Sequence, residues 1–260
     1  MTNKTTTTTT TTRSALDRVR QALTERVGVL TDTSRPEGPA FLAAAAGTEI
    51  AKATGIGALE KLCKPLIVPA ALAIALRDGR PLSAVDTALL SAPGAAYTTG
   101  DVILMLGEGH ASREVGRLAA GAAAFATGHL ALGALMLRSG LRFKPVQSAV
   151  HGVVAGAAAA VLLAEGRENA PLAAYGGLLA TLSALATSVD RSHGPAASVL
   201  AVAGPVFLLS DSLILARRKV KGGTVPARAL DVGVIDTYAT AALLLLTGAA
   251  AAARHTGSRA

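Results

Sequence analysis

Residues 196–216, AASVLAVAGPVFLLSDSLILA, are apolar from end to end apart from three serines and one carboxylate, Asp211. A helix needs about 20 such residues to cross the hydrocarbon core of a bilayer, and this run is long enough. It has neither the alternation of a half-buried strand nor the polar face of a helix lying on a water-soluble core. Working outward, similar blocks occupy 39–58, 62–77, 82–106, 115–137, 145–164, 170–189 and 229–253. Brief charged connections join many of them, such as Arg77 to Pro81, Arg138 to Lys144 and Glu165 to Asn169. Short connections make neighbouring helices antiparallel. The expected fold is all-α: a polytopic transmembrane helical bundle of about eight spans.

Composition agrees, with 51% hydrophobic and 16% charged residues and a mean hydropathy of +0.46. A soluble domain would need several polar-faced helices to cover its core, and almost none begins after residue 40. The net charge of +8 resides in inter-helix loops and the first 35 residues, and aromatics are only 3% of the chain. Nucleic-acid binding would need bases stacked on aromatics, so anionic lipid head groups are the expected partners, and no nucleic acid. The lone Cys63 excludes an intrachain disulfide, and His129 and His151 without a nearby cysteine give no zinc-ligand spacing. Neither a metal nor a cofactor is expected.

Three regions follow. Residues 1–38 form a polar N-terminal tail, disordered through the threonine run at 1–12; residues 14–31 are either an amphipathic surface helix or a linker. Residues 39–253 form the membrane-embedded domain, and 254–260 a short polar tail. The Lys and Arg count favours termini on the cytoplasmic side, whereas the densest loop, Arg217 to Arg228, favours the reverse. Asp101 and Asp211, His129 and Tyr238, and Pro65-Leu66 and Pro171-Leu172 recur at nearly one offset. Either a parallel repeat of four helices per half or coincidence among alanine-rich helices explains this.

An ionisable side chain at membrane depth costs roughly 2.5 to 3.5 kcal/mol on insertion scales, which makes each one a functional candidate. Asp86 and Asp231 lie near the starts of their segments and can reach the interface; Glu49 and Lys52, one helical turn apart, can neutralise each other. Asp101 and Asp211 are the stronger catalytic candidates because small residues precede them, Thr98, Thr99 and Gly100 before one and Ser210 before the other. Two buried carboxylates can divide labour, one protonated as general acid and the other ionised. His129 and Tyr238 lie within spans, where either could orient a carboxylate or donate to a phosphate; each is equally readable as a packing residue. Lys64 either snorkels or anchors a substrate phosphate.

Lys64-Pro65-Leu66, Gly100-Asp101-Val102-Ile103-Leu104-Met105-Leu106, the stretch from Gly121 to His129, Phe207-Leu208-Leu209-Ser210-Asp211-Ser212 and Tyr238, in that order, resemble the YhhN-like lysoplasmalogenase family. The sequence departs from the family pattern after the histidine, where Leu130, Ala131 and Leu132 follow, and after Tyr238, where Ala239 follows. The resemblance implies an integral membrane hydrolase of the vinyl ether bond of a lysophospholipid, releasing a fatty aldehyde and a glycerophospho-alcohol. It implies Asp101 and Asp211 as catalytic groups. Lys64, Tyr238 and Ser210 would contact the substrate, the first two at its phosphate, and His129 would orient a carboxylate. A non-enzymatic transporter or lipid-binding bundle using the same aspartates is the competing reading. The alanine-rich, arginine-rich composition fits a bacterial plasma membrane.

Overall fold

A computed structural model describes residues 4–106 and 114–257. Parts of the expected N- and C-terminal tails, and part of the charged connection after residue 106, lie outside the described residues. Among those described, nine α-helices and no strands occur: α1 (Lys4–Thr31), α2 (Glu37–Thr54), α3 (Gly57–Arg77), α4 (Ala84–Leu106), α5 (Glu114–Arg138), α6 (Pro145–Glu165), α7 (Ala170–Ala186), α8 (Leu200–Arg217) and α9 (Val225–Thr256). Short 3-10 turns at Arg167–Asn169, Arg191–His193 and Ala196–Val199 lead into α7 and α8. Each apolar block of the sequence becomes one helix, because a helix satisfies its own backbone where no water can. Among the described residues, five helical stretches are long and apolar enough to cross a membrane: Ala84–Leu106, Val115–Arg138, Pro145–Glu165, Ala196–Arg217 and Val225–Thr256. The chain is a multi-pass membrane protein.

Helix α9 is the axis of the bundle. Its segment Ile235 to Ala253 is buried at almost every position, and α2, α3, α4, α5 and α8 all pack on it. A helix apolar on every side, rich in alanine, allows close approach from all directions. At the other extreme, α6 packs chiefly against α7 and turns Val146, Val150, Val153 and Val161 outward, each more than half exposed. Such a surface is costly in water and suits lipid.

Ion pairs close both ends. Arg77 meets Glu37 at 2.8 Å, Arg138 meets Asp86 at 3.2 Å and Arg26 meets Asp78 at one end. Lys52 meets Glu60 at 2.7 Å, Arg217 meets Asp231 at 2.8 Å and Lys219 meets Glu165 at the other. Lys52 therefore pairs across the α2–α3 turn, because the partner helix brings Glu60 into line.

At the N-terminal end the helical backbone of α1 begins at Lys4 and includes most of the threonine run. Extending a formed helix adds one hydrogen bond per residue, which offsets weak threonine propensity. Leu23 and Leu30 of α1 pack against the core. Ala22 and Arg26 are buried while Leu16 and Val27 stay exposed, because the ion pair with Asp78 fixes which face turns inward.

Candidate functional site

Asp101 lies about one and a half turns before the end of α4, ~8 Å from it by helical rise, and Asp211 occupies a similar depth in α8. Both line one cavity of about 140 Å³, together with Lys64, Ser210 and Tyr238 and apolar side chains of α5 to α9. The sequence alone places the two aspartates on separate helices; packing brings them to one space.

Asp101 is 3% exposed. Tyr238 donates its phenol hydrogen to Asp101 Oδ2 at 2.6 Å, and Lys64 Nζ lies 3.8 Å from Oδ1. A cation and a strong donor on opposite oxygens favour the carboxylate anion. Lys64 and Tyr238 both line the cavity and are both turned to Asp101. Ser210 Oγ donates to the Val234 carbonyl at 3.2 Å, tying α8 to α9 beside Asp211.

Asp211 has a different neighbourhood. Tyr175 of α7 lies beside it, and Tyr175 also faces His129 Nε2 at 3.3 Å. On the far side, Tyr97 OH and His129 Nδ1 are 2.6 Å apart. His129 Nδ1 is the acceptor for the Tyr97 hydroxyl hydrogen, since that phenol is wholly buried with this bond as its described partner. A neutral imidazole offers one acceptor and one donor, so Nε2–H donates to the Tyr175 oxygen and the Tyr175 hydroxyl is free to donate to Asp211. His129 thus reaches Asp211 through Tyr175 and not directly.

Sequence reasoning missed Tyr97 and Tyr175. The available signal was scarcity: the chain has three tyrosines, and all three converge here. Phe207 packs edge-on to His129, with centroids 5.0 Å apart, and to Tyr238 at 5.8 Å; Phe125 borders Tyr97 at 5.4 Å and Tyr238 at 5.9 Å. Gly128 makes this packing close, since a Cβ there would lie 3.1 Å from the Pro93 backbone and nearer still to the Tyr97 ring.

Asp86, Asp231 and His151 have structural partners. Asp86 accepts from Ser83 Oγ at 2.6 Å at the start of α4, Asp231 holds Arg217, and His151 Nε2 faces Ser183 Oγ at 2.9 Å between α6 and α7.

Fold and site define a polytopic helical membrane protein with two differently partnered carboxylates facing one largely apolar cavity. Residues 59–249 match the sequence model of the YhhN family. The chain belongs to that family. No curated protein and no solved structure matches it.

Proposed function

We propose that the protein hydrolyses the vinyl ether bond of a lysoplasmalogen-type lysophospholipid, with Asp211 as general acid and Asp101 as the anion. The observation that carries this is the unequal partnering of two carboxylates in one cavity: Asp101 faces Lys64 and Tyr238, whereas Asp211 faces a phenol. Family membership supports it, since the resemblance first pointed to this activity. Carboxyl groups in unlike surroundings divide acid and base work.

In the proposed reaction, substrate lies with its vinyl ether between the two aspartates. Tyr175 donates to one oxygen of Asp211 and leaves the other to hold the reacting proton. Asp211 gives that proton to the β-carbon, and the C=C π electrons form the new C–H bond. The ether oxygen shares its lone pair to make an oxocarbenium ion, which Asp101 stabilises as glycosidase carboxylates do. Water adds to the cationic carbon and returns a proton to Asp211. The hemiacetal then collapses, its hydroxyl proton passing to the departing glycerol oxygen, to give aldehyde and alcohol.

The volume of about 140 Å³ is comparable to a cavity that holds one aromatic ring. It therefore takes the head-proximal part of the alkenyl chain, with the rest passing along the Val154 and Ala158 face of α6 toward lipid. On this reading all eight helices α2–α9 cross the membrane, and the two aspartates occupy equivalent places in a parallel repeat. Purified protein given a lysoplasmalogen should release fatty aldehyde, and Asp101→Asn and Asp211→Asn should each lower turnover by about 100-fold or more while leaving membrane expression intact. Binding without aldehyde release would convert the reading to a lipid-binding bundle.

A further inference from the structure

A second cavity, about 380 Å³, adjoins the first, and Lys64, Leu104, Leu118, Ile214, Val234 and Ile235 line both. The side chains that wall one space also wall the other. The second cavity draws its residues from the C-terminal ends of α2, α4 and α8 and the N-terminal parts of α3, α5 and α9. It therefore lies at the helix-end face of the bundle, where a membrane protein meets water. The first cavity extends the other way, to a wall of Val154, Ala155, Ala158 and Ala159 on the lipid-facing helix α6.

The two spaces differ in chemistry. Where the first is largely apolar, the second is rich in charge, with Lys52, Lys64, Arg117, Arg217, Arg218 and Asp231 in its lining. Lys52 pairs with Glu60 and Arg217 with Asp231, and pairing does not make such a wall apolar. An ammonium carries three donors and a guanidinium five, more than one carboxylate partner occupies. A lipid chain in this space would leave those groups facing hydrocarbon. Charged side chains inside membrane proteins characteristically face a water-filled cavity, and a polar space of this size holds several water molecules. The proposed hydrolysis consumes one water per turnover, and the α6 wall of the first cavity offers no polar path for it.

We infer that the second cavity is an aqueous vestibule that carries water from the helix-end face of the bundle to Asp101. The inference rests on the hydrolase reading for what that water then does. Lys64 lines both spaces, with its Nζ 3.8 Å from Asp101 Oδ1, so the route ends beside the Lys64–Asp101 pair. Lipid and water thus reach the site from different directions. The alkenyl chain comes along α6, and water arrives past Leu104, Leu118, Ile214 and Val234 on the side where Asp101 stands. The oxocarbenium carbon meets water there, while the rest of the first cavity stays dry around the chain.

The test reads water access without turnover. In a Cys63→Ser background, full-length protein in detergent carrying Ile214→Cys, Val234→Cys or Ala158→Cys is treated with 2-sulfonatoethyl methanethiosulfonate, and the adduct is followed by intact mass. The thiolate is the reacting form, and it forms where water reaches the sulfur. Ile214→Cys and Val234→Cys, on the shared wall, should be modified about tenfold or more faster than Ala158→Cys, which faces the first cavity alone. Wild-type protein gives a second measurement free of any folding defect. Hydroxyl radicals generated from water by an X-ray pulse should oxidise Leu104 and Leu118 more heavily than Leu208, a leucine of the first cavity that is likewise half-buried. Rates at both shared-wall cysteines no higher than at Ala158→Cys, or oxidation no heavier at Leu104 and Leu118 than at Leu208, would overturn the inference. A protein that shows the expected labelling but releases no aldehyde from a lysoplasmalogen would keep its vestibule and lose the hydrolase reading. Aldehyde release with an unlabelled shared wall would do the reverse, so the two can fail separately.

Discussion

Lys64 and Asp101 are 8% and 3% exposed and 3.8 Å apart, so neither charge has water to fall back on. Removing one partner of a buried pair leaves an uncompensated charge, whereas removing both is often nearly neutral. Lys64→Met should therefore cost about 3–5 kcal/mol, read as a drop in Tm in detergent. Lys64→Met/Asp101→Asn should recover most of that loss and still release no aldehyde. A double variant no more stable than the single one would show that the lysine stabilises the fold by packing alone. Both residues were legible in the sequence as candidates, but not as partners of each other. Nothing local indicates that α3 and α4 turn them toward one point, or that Tyr238 from α9 completes the set.

Among the elements, α7 and α8 carry the pair that joins the histidine chain to the acid, Tyr175 and Asp211. Gly204 sets how closely these helices approach, since a Cβ there would lie 2.7 Å from the Ser183 Cα, a backbone atom that cannot swing away. Gly204→Leu should destabilise by about 1–3 kcal/mol and lower kcat more than a stability-matched variant elsewhere, because it moves Tyr175 away from Asp211. Gly152→Ala on α6, where a Cβ meets nothing within 4 Å, should leave both Tm and turnover near wild type. Equal effects of the two substitutions would remove the special role of the α7–α8 contact. The sequence placed α4 at 82–106 and α6 at 145–164, within two residues of the observed Ala84–Leu106 and Pro145–Glu165. It placed α8 from 196, whereas its first residues form a 3-10 turn before Leu200. Pro195, which cannot donate to a preceding turn, precedes that tightened start.

For the whole molecule, the crossing count decides which loops share a side. Helix α7 is not among the five stretches that meet the length and hydropathy of a span, yet eight crossings require it to traverse. In a Cys63→Ser background, Arg142→Cys and Gly222→Cys should be labelled by an impermeant maleimide from opposite faces of oriented vesicles. Labelling from one face would mean that α7 does not cross, and would end the eight-span reading. By itself, the sequence determined that the chain is a helical bundle in a membrane and that Asp101 and Asp211 are its unusual residues. Those are local facts: an apolar run of sufficient length satisfies its own backbone in lipid, and a carboxylate within it is costly wherever the helix goes. Only the tertiary structure decided that the two acids share a cavity, that Lys64 and Tyr238 face Asp101, and that Tyr97, His129 and Tyr175 lead to Asp211. These depend on which faces of distant helices meet, and in an alanine-rich bundle small residues allow close approach on many faces, so the choice is made by the packing of all the helices together.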